Sequence, residues 1–174
     1  PNDIASKAWW HAAFPGHPYG HSSKGALDSV PNITADDMRD YVRRVFARNG
    51  LKIAIVGDID PAAAGKLIDT AFGALPAAND LRDVPDVKLQ GLGRRIVTKV
   101  AVPQAVVTFG GPGLARHDPD FMAGYIVNHI FGGGTFTSRL YTEVREKRGL
   151  AYGVSDNLIW FRHAAVSIGG TATR

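Results

Sequence analysis

An α+β fold is predicted from three observations. Helical stripes of apolar residues alternate with apolar runs of strand length. Near the end, two consecutive runs, LAYGVSDNLIWF and HAAVSIGGTA, read as antiparallel strands. Gly, Pro and Asn-Gly stops separate these segments at spacings typical of compact domains.

Composition bounds the class. The 174 residues suit one domain or two small ones, and 45% hydrophobic with 21% charged content describes a chain able to fold. No apolar run reaches the ~20 residues needed to span a bilayer, so membrane insertion is not expected. The net charge of +4 is scattered without a basic block, which argues against nucleic acid as a partner. Zero cysteines exclude disulfides, thiolate metal sites and cysteine nucleophiles. The chain does not open on Met and stops while still reading as strand, so an excerpt of a longer protein is expected.

The elements follow in order. Residues 3–14 (DIASKAWWHAAF) read as a helix ending before Pro15, because the residue preceding proline avoids the helical region. Trp9 and Trp10 are adjacent, so on that helix they point apart and at least one is expected at the surface or an interface. FPGHPYGHSSKG is turn-rich. Thr34 opens a second helix with Asp37 as its capping-box partner, and Met38, Tyr41, Val42, Val45 and Phe46 form its apolar stripe before Asn49-Gly50 stops it. LKIAIVG (51–57) reads as a strand. Asp60 caps a third helix with Pro61 at its first position, and Leu67, Ile68, Ala71 and Phe72 are its expected buried face. Residues 77–93 lack a period and are rich in Asp, Pro and Gly, the composition of a linker. RRIVTKVAV and QAVVTFGG then read as strands and Asp118 to Ile130 as a helix, followed by a helical face of Phe136, Leu140 and Val144.

The densest signal is FGGGTFTSRLYTEVREKRGLAYGV (131–154). A Walker loop needs a Lys-Ser/Thr pair after its last glycine, and here Thr135-Phe136-Thr137-Ser138 follows instead. A dinucleotide fingerprint would follow a strand, whereas DPDFMAGYIVNHIF reads as helix. The plainest reading ends one helix at Gly132–Gly134 and caps the next with Thr135, Thr137 or Ser138. The charge run Glu143–Arg148 is then either a solvated face or part of a site.

The same segment resembles the late signature of the pitrilysin/insulinase-type zinc peptidases, a group that includes the mitochondrial processing peptidases. FPGHPYG, NGLKIAIVGDID and PGLARHDPDFMAGYIVNHIFGGG occur in that family's order and rough spacing, so the resemblance covers nearly the whole chain. It implies parts of two homologous α/β sandwich halves, each an antiparallel sheet with helices packed on it. Residues 1–76 would end the first half, 77–93 link, and 94–174 begin the second. It also implies a peptide chamber in which Arg145 and Tyr152, the family's Arg/Tyr pair, bind substrate backbone and stabilise the oxyanion. The glycine run Gly132, Gly133 and Gly134, with Phe136, would touch substrate. An apolar core role for Tyr152, on the strand face of Leu150 and Val154, stays open beside this, as does a core role for Phe136.

The family's zinc motif, H-x-x-E-H, is absent from the chain. Histidines 11, 17 and 21 come closest to a cluster, without a carboxylate ligand nearby. The resemblance therefore implies no metal here and Zn in the parent protein or in a partner subunit, with homodimers or heterodimers as the expected assembly. The chain alone is expected to be inactive. The alternative is a non-catalytic structural or assembly subunit of the same fold, as in the core proteins of respiratory complexes. A bacterial source, with the periplasm as compartment, is an expectation from the type of resemblance alone.

Overall fold

The computed structural model describes residues 1–173 as two compact units. One comprises Pro1–Lys24 together with the chain from Val84 onward; the other is Gly25–Asp83. These units cut across the segments drawn from the sequence, because the first helix packs with the later part of the chain.

In the first unit, helix α1 (Asn2–Ala13) closes with the Phe14 N–H on the Trp10 carbonyl, one residue before Pro15. Strands β1 (Val106–Pro112), β2 (Ala151–Trp160) and β3 (Ala165–Thr173) form an antiparallel sheet in the order β1-β3-β2. The register runs from Val106 opposite Ala172 to Pro112 opposite Val166, and β2 pairs from Trp160 opposite Ala165 back to Ala151 opposite Thr173. An irregularity between Ala151 and Val154 interrupts the β2 ladder. β2 and β3 are the strand pair read from the sequence, and β1 is the QAVVTFGG run, starting two residues later and ending one residue later.

The core lies where α1 meets the sheet. Phe14 and Val166 are fully buried beside Ala13, with Trp9, Trp10, Tyr19, Val87, Leu89 and Ile159 packed around them. Burying one such aromatic contributes about 1.5–3 kcal/mol. Trp10 stacks on Phe14 and meets Phe161 edge-on, while Trp9 lies against Gly110, where a Cβ would come within 2.5 Å of the indole. Both tryptophans are thus half-buried on the sheet, and neither projects freely. Residues 84–93, linker-like in composition, carry no helix or strand but are tied down: the Gln90 N–H donates to the Ala13 carbonyl and the Val87 N–H to the His163 carbonyl, before a turn at Gly91–Gly93.

In the second unit, α2 (Ala35–Val45) opens with the expected capping box. Thr34 Oγ1 accepts from the Asp37 N–H and the Asp37 carboxylate accepts from the Thr34 N–H. α3 (Pro61–Phe72) opens on Asp60, which accepts from the Ala62 and Ala63 N–H groups. Two sequence expectations fail here. Leu67, Ala71 and Phe72 are exposed, as are Met38, Tyr41, Val42 and Phe46 on α2, because no described element covers these stripes. Residues 51–57 form no strand. Among the described residues, the amides of 52–56 have no backbone partner, and a ladder needs a second strand. RRIVTKVAV (94–102) likewise joins no strand ladder.

No helix among the described residues is long and apolar enough to cross a membrane.

Candidate functional site

Helix α4 (Phe121–Asn128) runs without a break into a wider π-helical turn, His129–Gly133, closed by the Gly134 N–H on the His129 carbonyl at 2.8 Å. Such turns are uncommon and concentrate at functional sites. Gly132 is buried directly against β2: a Cβ there would stand 2.6 Å from the Asp156 Cβ, 2.7 Å from its backbone nitrogen and 2.9 Å from Leu140. Asp156, 2% exposed, anchors the junction. Its Oδ2 accepts from Asn128 Nδ2 at 2.5 Å and from Ser167 Oγ at 2.6 Å, which ties the end of α4 to β2 and β3. Gly133 and Gly134 are half-buried beyond it.

The chain then turns sharply. Thr135 has φ +45°, unusual for a side chain-bearing residue. Phe136 sits on a separate 3₁₀ turn, Thr135–Thr137, rather than on the helical face expected with Leu140 and Val144. The next helix is capped by Ser138, whose buried Oγ accepts from the Tyr141 N–H at 3.3 Å and donates to the Thr135 carbonyl at 3.1 Å. It too widens into a π-helical turn, Tyr141–Glu146, with the Lys147 N–H bonded to the Thr142 carbonyl. Gly149, at φ +60°, ends it: its N–H returns to the Arg145 carbonyl, and the Leu150 N–H reaches the Val144 carbonyl. A left-handed glycine at this place is the common way to stop a helix and release the chain into a strand. That strand is β2, and Tyr152 lies on it at the ladder irregularity.

This path brings Arg145 and Tyr152 together. The Arg145 guanidinium carbon lies 4.7 Å from the centroid of the Tyr152 ring and 4.8 Å from that of Tyr141. Tyr152 is 84% exposed, which removes the core reading, and Phe136 at 66% is not core either. Phe136 meets Tyr141 edge-on at 5.1 Å. Thr135, Phe136, Tyr141, Arg145, Tyr152 and Ser155 line an open hollow of about 300 Å³. The three glycines do not line it; they hold the turn beside it. Tyr141 was not singled out from the sequence, although an aromatic four residues before Arg145 on one helix was the available signal.

The charges around Arg145 are arranged to leave it free. Glu143 pairs with Lys147 and with Arg148, each at 2.6 Å. The Lys147 hydrogen bond, followed by that of Arg148, pulls the Glu143 carboxyl from its ordinary 4.5 to about 2. Among the described residues, Arg145 has no ion pair and donates no side-chain hydrogen bond. Part of the charge run is therefore a solvated helical face and part of it lines the hollow.

A larger cleft of about 1090 Å³ lies between α1, residues 89–105 and β1. Its walls are mostly apolar, including Ile96, Val97 and Val100, and it flanks the unpaired stretch 94–102 rather than a convergent set of polar groups.

The residues present do not fit a zinc site. No group of three His, Asp or Glu side chains converges among the described residues. His17 has both ring nitrogens engaged, Nε2 with the Pro85 carbonyl at 3.0 Å and Nδ1 with the Tyr19 N–H at 3.2 Å.

A three-stranded antiparallel sheet with helices packed on it defines the class: an α+β domain, with no cluster of metal-ligating side chains among the described residues. The family model described as peptidase M16 inactive domain matches residues 32–166, and the chain belongs to that family. This agrees with the resemblance carried by the glycine-to-LAY segment. An uncharacterized zinc protease of Streptomyces coelicolor is 36% identical over 160 residues, covering 88% of this chain and 35% of that protein. A crystal structure of a peptidase M16 inactive domain from Pseudomonas fluorescens superposes with a TM-score of 0.83 at 29% identity, over all of this chain and 42% of that one. A chain of complex III2 from Candida albicans shares the fold, with a TM-score of 0.74 at 16% identity over 99% of this chain and 42% of its own length. The chain thus spans about a third of the length of the curated relative it matches.

Proposed function

We propose that this chain is the zinc-ligand-free portion of a pitrilysin/insulinase-type metallopeptidase, shaping one wall of a peptide chamber. Arg145 and Tyr152 face a peptide held at a zinc site supplied by the rest of the parent protein or by a homologous partner subunit. The observation that carries this reading is the unpaired Arg145 guanidinium over the exposed ring of Tyr152. A guanidinium keeps its charge and presents a rigid fork of N–H donors, and the phenol adds one O–H. Such donors bind peptide carbonyls and stabilise a developing oxyanion, where loss of one costs roughly 2.7–4 kcal/mol of barrier. The exposed edges of Gly133 and Gly134 and the ring of Phe136 flank the path of that peptide. By itself the chain is inactive in this reading.

The second reading is a non-catalytic assembly subunit of the same fold, supported by the fold likeness to a complex III2 chain. The test is cleavage of a quenched fluorescent peptide by the full-length protein, alone and with candidate partner subunits, with and without a zinc chelator. Chelator-sensitive cleavage that falls at least about tenfold in Arg145→Ala and Tyr152→Phe, with zinc content unchanged, supports the peptidase reading. No cleavage in any combination favours the assembly subunit.

A further inference from the structure

We propose that Tyr141 is a positioning residue that fixes the orientation of the Arg145 guanidinium; the proposal rests on the peptide-binding reading of the hollow. The two rings that contact Arg145 differ in kind. Tyr152 is exposed and stands on a strand at a ladder irregularity, whereas Tyr141 is buried. Tyr141 is also held from two sides, with its N–H on the Ser138 cap and its ring against Phe136. The buried ring is therefore the fixed reference and the exposed ring the adaptable one.

The backbone favours this pairing. Residues four apart on a helix are neighbours. In the wider turn Tyr141–Glu146 each residue advances through a smaller angle than the ~100° of an α-helix, so Arg145 stacks more nearly above Tyr141. A ring over a guanidinium occupies its face and leaves the N–H groups, which point outward in the plane, free for a ligand. Glu143 completes the arrangement: both of its oxygens are taken by Lys147 and Arg148, and among the described residues neither it nor the neighbouring Glu146 forms an ion pair with Arg145. Without Tyr141, the long side chain regains its rotamers and must be ordered again at each binding event.

The test uses the full-length protein labelled at arginine Nε. The wild type should show one Arg145 Nε–H signal displaced upfield by ring current, identified by its disappearance in Arg145→Lys. Tyr141→Leu should move that signal well back toward the position of a free arginine, with only the part due to Tyr152 remaining, and Tyr141→Phe should keep it fully displaced. In the cleavage assay, Tyr141→Leu should lower kcat/KM about 5- to 30-fold, Tyr141→Phe should recover most of the loss, and Tyr141→Leu should add nothing in an Arg145→Ala background. An undisplaced Arg145 signal in the wild type overturns the proposal whether or not any variant folds. A displacement undiminished in Tyr141→Leu, or a loss of turnover equal with and without Arg145, also overturns it. If Arg145→Ala leaves turnover untouched, the peptidase reading fails, and the Nε–H signal alone decides the role of Tyr141.

Discussion

The buried carboxylate of Asp156 gives the sharpest stability test of how the glycine turn is held. One oxygen, Oδ2, accepts both the Asn128 amide at 2.5 Å and the Ser167 hydroxyl at 2.6 Å, and the side chain is 2% exposed. Hydrogen bonds to a charged group contribute about 1.5–3 kcal/mol each, and an abandoned buried donor costs about 1–3 kcal/mol. Asn128 and Ser167 are only partly buried, so water recovers some of that loss. Asp156→Ala is therefore expected to destabilise by about 2–4 kcal/mol, with a small cavity under Gly132 included. Asp156→Asn keeps an acceptor with two lone pairs and should cost about 1 kcal/mol. The assay is urea unfolding of the full-length protein followed by circular dichroism. With a slope of about 2 kcal/mol/M, the alanine variant should lower the midpoint of the transition that includes this domain by about 1–2 M. A shift below about 0.3 M for Asp156→Ala, or equal shifts for both variants, would refute the clamp.

Three further outcomes are expected. Gly149 sits at φ +60° with open space around it, so Gly149→Ala should cost about 1–2 kcal/mol and Gly149→Asn less, measured by the same unfolding; equal stability of all three would show that the left-handed stop is dispensable. The Glu143 carboxyl is lowered in the folded chain, so its ion pairs contribute stability that is fully present above its ordinary 4.5 and is lost as pH falls toward about 2. Glu143→Gln should flatten that part of the pH–stability curve, and an unchanged curve would mean the pairs contribute nothing. The amides of 52–56 should exchange freely in the 174-residue chain. In the full-length protein, where another segment can complete the ladder, they should exchange at least about a hundredfold more slowly by hydrogen-exchange mass spectrometry. Equal rates would mean the stretch is a loop.

The helix ends were legible in the sequence because capping is local. Thr34 with Asp37, Asp60 ahead of Pro61 and Phe14 before Pro15 satisfy N–H and C=O groups within three or four residues. The hairpin of β2 and β3 was legible for a related reason, since its partners are consecutive. The spacing of Arg145 and Tyr152 across the Gly149 stop was legible only with the family resemblance beside it. Tertiary structure decided the rest, because it depends on groups far apart in the chain. Residues 51–57 and 94–102 have strand composition, but a strand exists only where another backbone pairs with it, and no described segment does. His17 stood out in the sequence only as a histidine near His11 and His21, and Asp156 did not stand out at all; what holds them, Pro85 for the one and Asn128 with Ser167 for the other, is brought to them by the fold. The site follows the same rule: the sequence set Arg145 four residues after Tyr141 and seven before Tyr152, and the widened turn, the glycine stop and the sheet brought both rings to one guanidinium.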